Sequence, residues 1–381
     1  MKRSADRILT THTGSLPRPA DLDQLLFDRE DGKPVDKAAF ESRVHQVVSE
    51  TVDKQLNAGV DVVNDGEVGR IGFFSYVKDR LSGFGGEVIP LKPREMIEFP
   101  EVFQRLLEAP SYAHLKLPAC DAPIRVRDTR AVQTEIENLR TALRGKEPAD
   151  VFMSAASPGL IAGTLGNLHY ATGEAYVFAL ADAMKSEYDA IAQAGIVLQV
   201  DSPDLAAFRA VGPNSDLTDE QFLDQIRMHV RALNHALRDI EPEQMRMHMC
   251  WGNTELPHIN DIPLGKIIDV VLEARPAALS LAACNPRHEH EWTVWKDIRL
   301  PDGKVLIPGV VDTTTNYVEH PELVAQRIVR YAHVVGKENV IAGTDCGFGS
   351  LAGLYPVDPR VAWLKLQAMA EGARIASREL W

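Results

Sequence analysis

Residues 173–201 read GEAYVFALADAMKSEYDAIAQAGIVLQVD. The first part, Gly173–Ala194, is helix-compatible and runs up to Gly195, as helix C-termini often do. The apolar run Ile196–Asp201 then ends on a carboxylate. Such a run suits a strand buried on both faces of a parallel sheet. The unit recurs. Eight such runs are Ile8–Thr13, Val60–Asp65, Val151–Ala156, Ile196–Asp201, Met245–Cys250, Leu279–Cys284, Leu306–Val311 and Val340–Asp345. Helix-compatible segments separate them, among them Lys37–Ala58 before Gly59, Asp216–Leu237, Pro321–Val335 before Gly336, and Pro359–Leu380. Eight strand–helix units predict a (β/α)8 barrel of the TIM type. A doubly wound open sheet is the rival, but no GxGxxG follows the first run and there is no Walker loop.

One interval breaks the rhythm. Gly66 to Asp150 is far longer than one connection and contains Gly83–Gly86, several prolines and a helix-like run, Ala131–Arg144. We read residues 71–149 as an insertion after strand two, within a single catalytic domain spanning 1–381. Long structured insertions often cover sites or build contacts between copies, which leaves a homo-oligomer open.

Composition narrows the function classes. The chain has 381 residues, 45% hydrophobic and 25% charged, with a net charge of −13. That balance argues against a general nucleic-acid or anionic-membrane partner. No run approaches a membrane span, and MKRSADRILTTHTGSLPRP turns polar too soon for a secretory signal. Four cysteines are too few for a disulfide scaffold. A cytoplasmic enzyme with free thiols is expected.

Barrel enzymes place reacting groups at the carboxyl ends of strands. These ends hold Thr11-His12-Thr13-Gly14-Ser15, Asn64-Asp65-Gly66-Glu67, Gln199-Val200-Asp201, His248-Met249-Cys250, Cys284-Asn285-Pro286-Arg287-His288, Asp312, and Asp345-Cys346. Residues i and i+2 of a strand share a side, so His248 and Cys250 face the mouth together. Cys346 can converge on them, and one imidazole with two thiolates suits Zn²⁺ with an open fourth position. The plain alternative is a pair of inert buried thiols beside a core histidine. For Asp65, Glu67 and Asp201 it is a set of caps and arginine partners, against a shared substrate pocket. Arg18, Arg70 and Arg287 could clamp an anion or sit in surface ion pairs.

Taken together, Thr11–Pro19 (THTGSLPRP), Asp65-Gly66-Glu67, Gln199-Val200-Asp201, His248-x-Cys250 and Asp345-Cys346-Gly347 resemble the cobalamin-independent methionine synthase family, in its single-barrel form. The resemblance runs from about residue 8 to the C-terminus. That form also includes epoxyalkane:coenzyme M transferases, to which Gln199–Ala206 and Asn285–Trp292 look closer. The resemblance implies a TIM barrel, a catalytic zinc on His248, Cys250 and Cys346, and an acceptor amino acid held by Ser15, Glu67 and Asp201. His12, Arg18, Asp65 and Arg287 complete the expected substrate contacts, with His288 and Asp312 in catalytic roles.

The family's carboxylate ligand on strand six falls on Ala282. Cys284, two residues on, is then a candidate fourth ligand, with water or substrate as the other options. Asp312 is followed by Thr313-Thr314-Thr315 where the synthase has a histidine, and no folate-stacking tryptophan is evident near Ser157. The expected activity is zinc-dependent S-alkylation of a small, homocysteine-like thiol by a methyl or alkyl donor, methyl-folate among the candidates. The other readings are thiol addition to an epoxide, as in epoxyalkane:coenzyme M transferase, and a metal-free barrel like uroporphyrinogen decarboxylase.

Overall fold

The computed structural model describes residues 1–381, apart from the side chain of Pro213. Ten strands are named in chain order: β1 Leu9–Thr10, β2 Val62–Val63, β3 Leu81–Gly86, β4 Ala119–Val126, β5 Asp150–Ala156, β6 Val197–Asp201, β7 Met245–Met249, β8 Ala278–Leu281, β9 Val305–Val311 and β10 Ile341–Thr344. Eight of them pair in parallel in the order β1-β10-β9-β8-β7-β6-β5-β2. The seam between β1 and β2 is stitched by Asp61 N–H donating to the Thr10 carbonyl (3.1 Å) and Thr11 Oγ1 to the Val62 carbonyl (3.1 Å). The expected (β/α)8 barrel is therefore present, and all eight expected runs supply its strands.

Side chains fill the barrel in layers, as in other small barrels. Near the amino ends of the strands, Leu9, Ala278, Val305, Ile307 and Ile341 form one apolar cluster, and Val62, Phe152 and Val197 form another, both covered by Met1. Above Phe152 lies the guanidinium of Arg246, 3.4 Å from the ring centroid. It donates to Gln199 Oε1 (2.6 Å), Thr11 Oγ1 (2.9 Å) and the His12 carbonyl (2.6 Å). Burial lowers its pKa to about 9. Strand alternation then aims His248, two residues on, at the next layer up.

The β2-to-β5 interval contains the antiparallel hairpin β3–β4, with the short helices Arg94–Glu98, Pro100–Leu107 and Pro110–His114 between its strands. The helix Arg130–Ala142 packs between Lys37–Asn57 and Gly173–Gln193, the place of an ordinary barrel helix. The excursion proper therefore ends near Thr129. It leans on the loops after β5, β6 and β7. Cys120 N–H donates to the Gly166 carbonyl (2.7 Å), Gly212 N–H to the Lys92 carbonyl (3.0 Å), and Asn260 Nδ2 to Glu98 (2.9 Å). Among the described residues no helix is long and apolar enough to cross a membrane.

Candidate metal centre and active site

β7 presents His248 to the interior, and its chain continuation presents Cys250. Cys346 lies two residues past the end of β10. One ligand atom from each of these three lies within 4.8 Å of the others. The two sulfurs are 4.0 Å apart. The β7–β8 register sets His248 opposite Ser280, and His248 Nδ1 meets Ser280 Oγ at 3.1 Å. The other ring nitrogen, Nε2, is buried with no hydrogen-bond partner. A buried polar atom without a partner is costly and calls for an explanation. The bond between the two thiols, with His248 and the Gly252 N–H behind it, holds Cys250 well below the usual thiol range. The same bond, with burial, raises Cys346. One imidazole nitrogen aimed at two sulfurs, one of them easily ionised, fits a borderline-soft divalent metal such as zinc.

Cys284 does not join this group. β8 ends at Leu281, and the Asp345 carboxylate takes hydrogen bonds from the N–H groups of Ala283 (2.7 Å), Cys284 (3.0 Å) and Asn285 (2.8 Å). That grip ends the strand alternation on which the expectation rested. The Cys284 thiol is pushed up by burial and by Asp345, with Arg327 and Glu319 also in range, and the Arg327 guanidinium bonds the Cys284 carbonyl. Ala282, by contrast, lines the cavity above Cys346.

The acids form a second group at the same level. The β6–β7 register sets Asp201 beside His248. Asp201 accepts from Gln199 Nε2 (2.7 Å), and burial, then the nearby Glu67, raise its pKa well above the carboxylate range. Glu67 is buried, accepts from Ser154 Oγ, and keeps Oε2 unpartnered. Burial raises it as well. Its backbone has φ 55°, the left-handed region that costs a side-chain residue energy. Gly14 makes room for it, since a Cβ there would lie 2.4 Å from Glu67 Oε1.

Other expected contacts turn out to be supports. His12 accepts from the Gly14 N–H (3.2 Å) at Nδ1 and donates to Gln55 (2.8 Å) at Nε2, so neither nitrogen is left for substrate. Burial drops its pKa to about 3. Asp65 accepts from the Glu67 N–H (3.0 Å) and shapes the turn. Arg18 donates to the carbonyls of Gly349 (2.7 Å) and Glu67 (3.1 Å), tying two mouth loops together. Arg70 is spent on Glu135 and the Ser154 carbonyl. Ser15 holds the Phe348 N–H through its carbonyl (2.9 Å), and its hydroxyl abuts Gly347.

Asp312 accepts four hydrogen bonds, from the N–H and hydroxyl of Thr314 and of Thr315. It anchors that loop and has no free oxygen for proton transfer. His288 is locked as well. Its Nδ1 donates to Glu291 (3.0 Å), its Nε2 donates to Asp261 (2.9 Å), and its ring stacks on Trp251 at 3.9 Å. These two carboxylates outweigh burial and raise its pKa to about 9, so it stands in the wall as a cation. Above Cys346 opens a cavity of about 440 Å³, lined by Trp251, Leu256, Pro286, Arg287 and His288 among others. Arg287 is exposed, and among the described residues its guanidinium bonds only the Ile259 carbonyl, at 3.4 Å.

Sequence reasoning missed Arg246, Ser280 and Asn253, the last of which donates to the Gly347 carbonyl (2.8 Å) and accepts from Thr313 Oγ1 (2.7 Å). Arg246 had a signal: a charge inside the apolar strand, two residues before the histidine. Ser280 and Asn253 had none.

Residues 170–354 match the catalytic domain of the cobalamin-independent synthases. The methionine synthase of Saccharolobus solfataricus is 24% identical over 374 residues, covering 97% of this chain and 95% of that one. The chain is similar to the cobalamin-independent methionine synthases. The methionine synthase of Thermococcus kodakarensis is 23% identical over 372 residues, covering 97% of this chain and 94% of the relative. The B12-independent methionine synthase from Shewanella sp. W3-18-1, solved in complex with selenomethionine, shares the fold. Its TM-score is 0.74 at 19% identity, over 98% of this chain and 99% of that one. The family match covers the segment that holds Asp201, His248, Cys250 and Cys346, and the likeness to the two named methionine synthases runs over 97% of the chain.

Proposed function

We propose that this protein is a zinc-dependent S-methyltransferase that methylates the sulfur of homocysteine or a close amino-thiol. The observation that carries the reading is the convergence of His248, Cys250 and Cys346 within 4.8 Å, with His248 Nε2 buried and unpartnered. These three residues would hold the zinc, which supplies the Lewis acidity that keeps a substrate thiol ionised at neutral pH. Glu67 Oε2 and Asp201 hold the substrate ammonium and orient the acceptor. The cavity above Cys346 admits a methyl donor, methyl-folate among the candidates, while Trp251, Leu256 and Pro286 keep water from the reacting atoms. Arg287 stands at its rim for an anionic group of either substrate. His288 and Asp312 act by position, the first as a fixed cation and the second as a loop anchor. Free thiols at the site need a reducing compartment, and we place the enzyme in the cytoplasm.

A metal-free decarboxylase would leave His248 Nε2 unexplained, and the relatives named above are methionine synthases. An acceptor with a sulfonate, as in epoxide chemistry, would set an anion beside two buried carboxyl groups.

The test is zinc stoichiometry in the purified protein and three variants. Wild type is expected to hold about one equivalent, Cys250→Ala and Cys346→Ala to lose it, and Cys284→Ala to keep it. Methyl transfer to homocysteine should follow the metal. A wild type without zinc, or Cys346→Ala with full zinc, would overturn the proposal.

A further inference from the structure

The two cysteines of the centre lie just beyond the carboxyl ends of β7 and β10, which are separated in the sheet by β8 and β9. No ladder of backbone hydrogen bonds joins those two strands directly. Their 4.0 Å sulfur separation must therefore be set above the strands, by the loops. Among the described residues, one side-chain hydrogen bond links the loop after Cys250 to the loop after Cys346, apart from the thiols themselves. Asn253 Nδ2 donates to the Gly347 carbonyl (2.8 Å). The amide's other end is also held, since Asn253 Oδ1 accepts from Thr313 Oγ1 (2.7 Å), in the loop after β9. The Gly347 carbonyl can only accept, which fixes the orientation of the amide.

Both neighbours of Asn253 are themselves pinned. A Cβ on Gly347 would lie 1.9 Å from Ser15 Oγ, so the loop after β1 presses the Cys346 segment from the other side. Thr313 stands next to Asp312, whose N–H donates to Glu319 (2.8 Å), and Glu319 in turn bonds the fully buried Lys365 (2.8 Å). The amide therefore bridges two rigid supports. It touches neither sulfur.

We infer that Asn253 is a positioning residue of the metal centre, with Thr313 acting through it: the pair latches the β7 and β10 loops so that both thiols are preset for the ion. The inference rests on the zinc reading given above. Outer groups that orient ligands are commonly worth about 10–100-fold in metal affinity.

The experiment is competition for Zn²⁺ against a chromophoric chelator, alongside the visible spectrum of the Co²⁺-loaded protein. Asn253→Ala should weaken zinc binding by about 10–100-fold and shift the sulfur-to-cobalt bands, while the metal-free melting temperature stays near wild type. Thr313→Val should weaken it less, because Asn253 keeps its bond to Gly347, and Thr313→Ser should behave as wild type. The double variant Asn253→Ala/Thr313→Val should match Asn253→Ala alone. Wild-type affinity in both Asn253→Ala and Thr313→Val, or losses that simply add in the double variant, would overturn the latch and leave the metal reading standing. A wild type that binds no Zn²⁺ would remove the metal reading itself. If Asn253→Ala fails to fold, Thr313→Val against Thr313→Ser decides the matter, since equal affinities for those two would overturn the inference.

Discussion

The imidazole of His288 offers the sharpest stability prediction. It is almost fully buried, and both of its nitrogens donate to carboxylates, Glu291 at 3.0 Å and Asp261 at 2.9 Å. Asp261 is shared with His258 (2.9 Å). The His288 pKa is raised from 6.5 to about 9, the two carboxylates outweighing burial. Between those values the folded chain holds a proton that the unfolded chain has released, so stability falls as pH rises. The contribution is fully present below pH 6.5 and gone above about pH 9. At ~1.4 kcal/mol per pH unit the whole effect is about 3 kcal/mol. The perturbation is His288→Leu, measured by denaturant unfolding of the metal-free protein from pH 6 to pH 10. His258 is present in both proteins and largely cancels. The gap between wild type and variant should shrink by about 3 kcal/mol across the window. A gap that stays constant, or widens with pH, would refute the assignment of a charged imidazole between two carboxylates.

Two further outcomes follow from the same geometry. Glu67→Gln removes one of the two groups assigned to the substrate ammonium, so KM for homocysteine should rise by about 10–100-fold with zinc content unchanged; an unaltered KM would count against that assignment. Arg246→Met deletes three buried hydrogen bonds and the cation over Phe152, and should cost about 3–5 kcal/mol in denaturant unfolding, whereas a midpoint at the wild-type value would mean the interior tolerates an empty layer.

The barrel was legible because each strand announces itself as an apolar run closed by polar residues. The one-sided face of His248 and Cys250 was legible for the same reason, since strand alternation is local. What failed was alternation carried past a strand's end. Cys284 was expected to face inward because it lies two residues after Ala282, but Asp345 captures three successive N–H groups there and turns the chain. His12 and Asp312 failed differently. Both sit at strand ends as expected, yet their polar atoms are consumed by partners distant or local: Gln55 in a helix for one, two threonines for the other. Sequence names the polar groups at a barrel mouth and cannot say which of them are already satisfied. Asn253 shows the converse, a residue with no local signal that derives its place from loops 60 and 94 residues away.

The division of the mouth into two groups carries the argument about the acceptor. Soft donors come from β7 and β10, carboxyl groups from the loop after β2 and the end of β6, and Asp201 pairs in register with His248 where the groups meet. A molecule that bridges them needs a sulfur at one end and a cation at the other. Burial raises both Glu67 and Asp201, the latter well above the carboxylate range. An arriving ammonium restores the counter-charge that burial took away, and it favours their ionised forms. For a sulfonate in the same place the Arg246 guanidinium offers no partner, being already committed to Gln199, Thr11 and His12. On the proposed reading, the two carboxyl groups of the floor match the ammonium of an amino-thiol acceptor.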